Sequence, residues 1–122
     1  MSVELPDSYE SIYQRAMVQM AAGNRQEAIE SLLRIVNRLR RLRPETLIRK
    51  ANLQDTLNAA CEAVFEFLRL DRQYDRAISV AESVLDRLPD PDATRRRIAS
   101  LTIEKGEVEE GLSRLREIAA TN

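Results

Sequence analysis

Few residues of this chain can do chemistry, and their spacing limits what that chemistry is. There is no histidine, and the one cysteine is Cys61. Cys61 falls on an apolar helical stripe, so it reads as a core residue, and no nucleophile–base pair is visible. Glu62 and Glu66 lie one helical turn apart and can face the same cation, but two carboxylates fall short of the six or more oxygens that hard metals take. Glu107, Glu109 and Glu110 open the last helix, where the helix dipole favours negative charge without a metal. The residues imply no metal, no cofactor and no enzyme.

Cations are more suggestive. Between Arg25 and Lys50 there are eight basic residues (Arg25, Arg34, Arg38, Arg40, Arg41, Arg43, Arg49, Lys50) against three acidic ones, a local charge of +5 in a chain of net charge −1. This basic patch suits an acidic partner or a phosphate backbone. Arg38, Arg41 and Glu45 are three or four residues apart, which also fits charge on a solvated helix surface. No aromatics interleave with the arginines to stack on bases, and the net charge lacks a nucleic-acid footprint, so both features argue against nucleic acid as the partner. Arg95, Arg96 and Arg97 follow a helix start, where positive charge opposes the dipole and stability gives no reason for it.

The elements that carry these residues are all helical. Aromatics are 4% of the 122 residues, and Leu, Ile, Val and Ala must fill the core; three glycines and four prolines break the chain rarely. The periodicity predicts six helices. The first opens near Asp7 or Ser8 and carries Tyr9, Ile12, Tyr13, Ala16, Met17 and Met20, stopping at Gly23-Asn24. The second runs from Arg25 to Leu42 with the stripe Ala28, Ile29, Leu32, Ile35, Val36, Leu39 and Leu42. After Arg43-Pro44 a long third helix spans Glu45 to Leu70 on a seam of Leu47, Ala51, Leu57, Cys61, Val64 or Phe65, and Leu68, interrupted by the polar Gln54, with a kink or loop allowed near Asn52 to Asp55. The fourth lies within Asp71 to Pro89, with Tyr74, Ala77, Ile78, Ala81, Val84, Leu85 and Leu88. Asp92 caps a fifth, Ala93 to Glu104, and Val108 to Ala120 is the sixth. The start of the sequence has no charged-then-apolar leader, and no apolar run approaches the ~20 residues of a membrane span. A cytoplasmic protein is the expectation.

Three turns repeat: Ala21 to Leu33, Leu70 to Glu82 and Glu104 to Arg116. Each places a small residue (Ala28, Ala77, Gly111) followed at once by an aliphatic one (Ile29, Ile78, Leu112), where two helices cross closely. Ala77 and Gly111 are 34 apart, whereas Ala28 and Ala77 are 49 apart. The 34-residue pattern resembles the tetratricopeptide repeat. It is strongest in Tyr74, Ala77, Ala81, Val84 and Pro89, then in Ala16, Gly23, Ala28, Leu32 and Ile35, and in Ala99, Gly106, Leu115 and Ile118. Arg25 and Val108 stand in for the family's aromatic and Gly111 for its alanine, and the extra residues between Arg38 and Asp55 depart from its period.

The resemblance implies one domain, 1–122, folded as a right-handed α-solenoid of three antiparallel helix-turn-helix units at about 8–43, 44–89 and 90–122. It implies a concave groove lined by the first helix of each unit. The groove would carry Glu10, Tyr13, Met17 and Met20, then Glu62, Glu66 and Arg69, then Arg96, Ser100 and Ile103. Its implied role is that of an adaptor holding a peptide or helix of a partner protein. Alternatives are a module that contacts an acidic partner or nucleic acid through Arg38, Arg40, Arg41, Arg43, Arg49 and Lys50, and a homo-oligomerisation unit. Oligomers would form through the last helix, which has no polar capping helix after it, or through the extended second and third helices around Leu39, Leu42, Leu47 and Ile48.

Overall fold

The computed structural model describes residues 8–121, and among these all regular structure is helical. Seven α-helices follow one another: α1 (Tyr9–Ala21), α2 (Arg25–Leu39), α3 (Pro44–Arg49), α4 (Ala51–Leu70), α5 (Tyr74–Ser83), α6 (Pro91–Glu104) and α7 (Val108–Thr121). A single 3-10 turn, Leu85–Arg87, follows α5. The chain divides into two compact units, Met1–Val64 and Phe65–Asn122, with the division inside α4.

In the first unit α1 packs on α2. Ser8 caps α1, its Oγ accepting from the Ser11 N–H at 3.0 Å; the alternative cap, Asp7, lies outside the described residues. The buried face of α2 is Ala28, Ile29, Leu32, Ile35, Val36 and Leu39, the predicted stripe without Leu42, which is half-buried beyond the helix end, and with one addition, the buried hydroxyl of Ser31. The helix ends at Leu39 rather than Leu42. Pro44 holds Arg43 extended (φ −66°, ψ 147°), and the chain leaves the helix through Arg40 and Arg41.

The predicted long third helix is two helices, so the total is seven rather than six. The break falls at Lys50 (φ −111°, ψ 86°), a few residues before the expected kink. Leu47 is the buried residue of α3, and α4 carries its own buried stripe. That stripe is Leu57, Ala60, Cys61, Val64, Phe65 and Leu68. Gln54, the polar member of the predicted seam, is half-buried, and its Nε2 donates to Asn58 Oδ1 at 2.9 Å.

In the second unit α6 packs against α5 and α7. α5 is shorter than the periodicity suggests. It ends at Ser83, whose hydroxyl donates to the Val80 carbonyl at 2.7 Å, and the chain tightens into the 3-10 turn before Pro89 forces Leu88 extended. α6 starts two residues earlier than predicted. Its cap is Asp90, which accepts from the Ala93 N–H at 3.1 Å, with Pro91 in the first turn where a missing N–H costs nothing. Asp92 instead pairs with Arg95 at 2.8 Å.

Three turns share one hydrogen-bond pattern. After α1, Gly23 N–H donates to Met20 O (3.1 Å) and Asn24 N–H to Gln19 O (2.8 Å). After α4, Arg72 donates to Arg69 O (3.0 Å) and Gln73 to Leu68 O (2.8 Å). After α6, Gly106 donates to Ile103 O (2.9 Å) and Glu107 to Thr102 O (3.1 Å). Each is a Schellman motif, whose middle residue must adopt the left-handed conformation. Those residues are Gly23 (φ 87°), Arg72 (φ 59°) and Gly106 (φ 107°). Five residues beyond each lies Ala28, Ala77 or Gly111, all buried.

Candidate functional site

Tyr13, Met17 and Met20 lie at four- and three-residue spacing on α1, and all three are half-buried; in that helix only Ala16 is fully buried. The thioethers therefore keep part of their surface open instead of filling the core. Glu10 is exposed on the same helix. Across the α1–α2 hairpin runs a chain of polar contacts that the sequence does not announce. Arg34 Nη2 donates to Ser31 Oγ at 3.2 Å, and Ser31 Oγ donates to Gln19 Oε1 at 3.1 Å. These residues, with Gln26, Glu27 and Glu30, line an open depression of about 410 Å³. Only the burial of Ser31 on an otherwise apolar stripe sets it apart, and burial is not visible in residue type.

The basic patch lies at the end of α2, in the connection and on α3. Arg38, Arg41, Arg43, Arg49 and Lys50 are exposed, and none makes an ion pair or side-chain hydrogen bond within the described chain. Arg40 is half-buried and its Nε donates to Asn37 Oδ1 at 3.3 Å. Ile48 stands among these cations with 76% of its surface open. Arg38, Arg41 and Glu45, whose spacing fits one solvated helix surface, are all exposed. The chain leaves α2 before Arg41, so the three residues never share one helix face.

In the second unit the structure joins two predicted groove residues and adds three others. Arg69 forks onto Glu66, with Nε to Oε1 at 3.1 Å and Nη2 to Oε2 at 2.5 Å, while its Nη1 reaches Glu104 on α6 at 3.3 Å. The hydrogen bond from Arg69 holds the Glu66 carboxyl below its ordinary pKa, with the charges of Arg69 and Arg97 adding to it. The same bonds raise the Arg69 guanidinium further above its already high value. Arg97 sits over the Phe65 ring, 5.6 Å from its centroid. Glu66, Arg69 and Glu104 thus tie α4 to α6. The Arg95–Arg97 run is largely accounted for by the Asp92 pair and this ring contact, which leaves Arg96 exposed and unpaired among the described residues. Ser100 is exposed, and Ile103 is half-buried beside Gly111.

Cys61 is buried, and burial, followed by the neighbouring charge of Glu62, pushes its thiol up to about 12. A thiol so held is a poor nucleophile at neutral pH. Glu62 is exposed and Glu66 is engaged by Arg69; no group of three potential metal ligands occurs among the described residues. No helix among the described residues is long and apolar enough to cross a membrane. The sequence matches no family model, no curated protein and no solved structure.

Proposed function

We propose that the protein is a non-enzymatic adaptor built of tetratricopeptide-like hairpins, which holds a helix or peptide of a partner protein. The observation that supports the repeat is internal: the same Schellman turn, followed at the same distance by a buried small residue, occurs three times. Proteins built of such repeats commonly present extended surfaces to partners. The surface best suited to a partner is Tyr13, Met17 and Met20 on α1, because half-open methionines adapt their shape to an apolar helix face at low cost. Glu66 and Arg69 serve as an internal tie in this reading.

A second reading follows from the unpaired cations around Ile48: an acidic segment docks on Arg38, Arg41, Arg43, Arg49 and Lys50. One experiment separates the two. Helical peptides are selected on the protein from a displayed library and rebound to Met17→Glu and to an Arg41→Gln/Arg43→Gln/Arg49→Gln variant. The adaptor reading expects apolar peptides, at least tenfold weaker on Met17→Glu, with little salt dependence. Acidic peptides that weaken with salt and lose affinity for the arginine variant instead favour the second surface. Selected peptides indifferent to both variants overturn both readings.

A further inference from the structure

Helix α7 has two adjacent apolar stripes, and the fold uses one. Gly111 and Ile118 are buried, and α6 packs against this helix. The other stripe, Val108, Leu112, Leu115 and Ala119, follows the four-three-four spacing of a coiled-coil seam and stays open: Val108 is 46% and Leu112 37% exposed, Leu115 is half-buried and Ala119 is exposed. The turn register shows how unusual this is. Counted from the left-handed residue, the same four positions on α2 are Arg25, Ile29, Leu32 and Val36, and the three aliphatic ones are at most 1% exposed. At the same register in and after α5, Tyr74, Ile78 and Leu85 are half-buried and Ala81 is fully buried.

The charges beside the open stripe point to its occupant. On the outer side of α7, Arg114 pairs with Glu110 at 3.1 Å. Glu109 and Arg116, by contrast, flank the open stripe on the side away from α6, and neither makes an ion pair among the described residues. They are seven residues apart, two turns of one helix. If two α7 helices meet antiparallel along this stripe, Leu112 of each copy lies level with Leu115 of the other, and Val108 with Ala119. Glu109 then faces Arg116 of the second copy, twice by symmetry. A parallel pair brings no opposite charges together, because the flanking positions on the other side are Gly111 and Ile118.

We propose that this face of α7 is an isologous, antiparallel homodimer interface, independent of the partner-binding reading above. A 14-residue helix is about 21 Å long, so the surface is at the small end for specific association and calls for high protein concentration. Sedimentation equilibrium up to about 1 mM reads the association directly. The wild-type chain is expected to dimerise, and Leu112→Glu to stay monomeric with unchanged helicity. Glu109→Arg and Arg116→Glu each place like charges together and should each dimerise about tenfold more weakly. Mixed, the two variants should form a heterodimer of wild-type strength. A wild-type chain monomeric throughout, a Leu112→Glu dimer as tight as wild type, or no gain on mixing overturns the proposal.

Discussion

Arg72 occupies the left-handed position that glycine holds in the two sister turns. A side chain there brings Cβ against the carbonyl, a cost of roughly 1 kcal/mol that glycine does not bear. Arg72 is exposed and makes no side-chain hydrogen bond or ion pair among the described residues that would offset this cost. Arg72→Gly is therefore expected to stabilise the protein by at most about 0.5 kcal/mol, after the extra freedom glycine gains in the unfolded chain is subtracted. Urea denaturation measures it, and a lower midpoint would show that the arginine side chain contributes something the turn geometry does not reveal. Gly23 and Gly106 announce their turns in the sequence. Arg72 does not, and its turn is legible only by alignment with the other two.

At the scale of elements, Gly111 shows what a small residue does at a helix crossing. A Cβ built there would lie 2.3 Å from Ile103 Cγ1 and 2.8 Å from the Ala99 carbonyl oxygen. Ile103 can change rotamer, but the α6 backbone cannot move without separating the two helices. Gly111→Ala is thus expected to lose about 1–3 kcal/mol from overpacking, outweighing the gain of about 1 kcal/mol that alanine brings to a helix interior. Thermal or urea unfolding of the variant tests this, and a neutral result would mean that α6 and α7 can slide apart freely. The spacing of small and aliphatic residues made these crossings readable in advance, as it did the stripes of α2 and α4. The break was partly readable: a kink or loop is allowed near Asn52 to Asp55, but no glycine or proline marks Lys50 itself. The early end of α2 and the 3-10 turn after α5 each precede a proline, Pro44 and Pro89, which shows that a helix must have ended but not how far upstream it stops. The charge of the basic segment was legible in the sequence; its division between the end of α2, the connection and α3 follows from those boundaries and was not.

For the molecule as a whole, the charges are unevenly placed and their partnerships set its response to pH. The Glu66 carboxyl is held below its usual value of 4.5, so its ion pair with Arg69 stabilises the fold above that value and is lost as pH falls through the lowered one. Cys61 acts at the other end. Its thiol stays neutral up to about 12 in the fold but ionises near 9.0 when exposed, so its contribution is complete below 9.0 and disappears as pH rises toward 12. Lys105, raised first by its hydrogen bond to Asp75, loses its contribution above its usual 10.5. Urea midpoints measured against pH should form a plateau bounded by these limbs. Glu66→Gln should flatten the acid limb, and an alkaline limb unchanged in Cys61→Ala would remove the thiol from the account.

The burial of Cys61 makes the chain its own recorder of opening motions. With one thiol and no other cysteine to compete, every labelling event reports the same place, the middle of the α4 stripe between Leu57 and Leu68. If opening and reclosing are fast beside the labelling step, the rate at a given reagent concentration measures the free energy of exposing that stripe; if reclosing is slow, it measures the opening rate itself. Occupying a surface that braces α4 slows this clock, and occupying one that does not leaves it running, so a single mass shift can tell which part of the protein a bound partner stabilises.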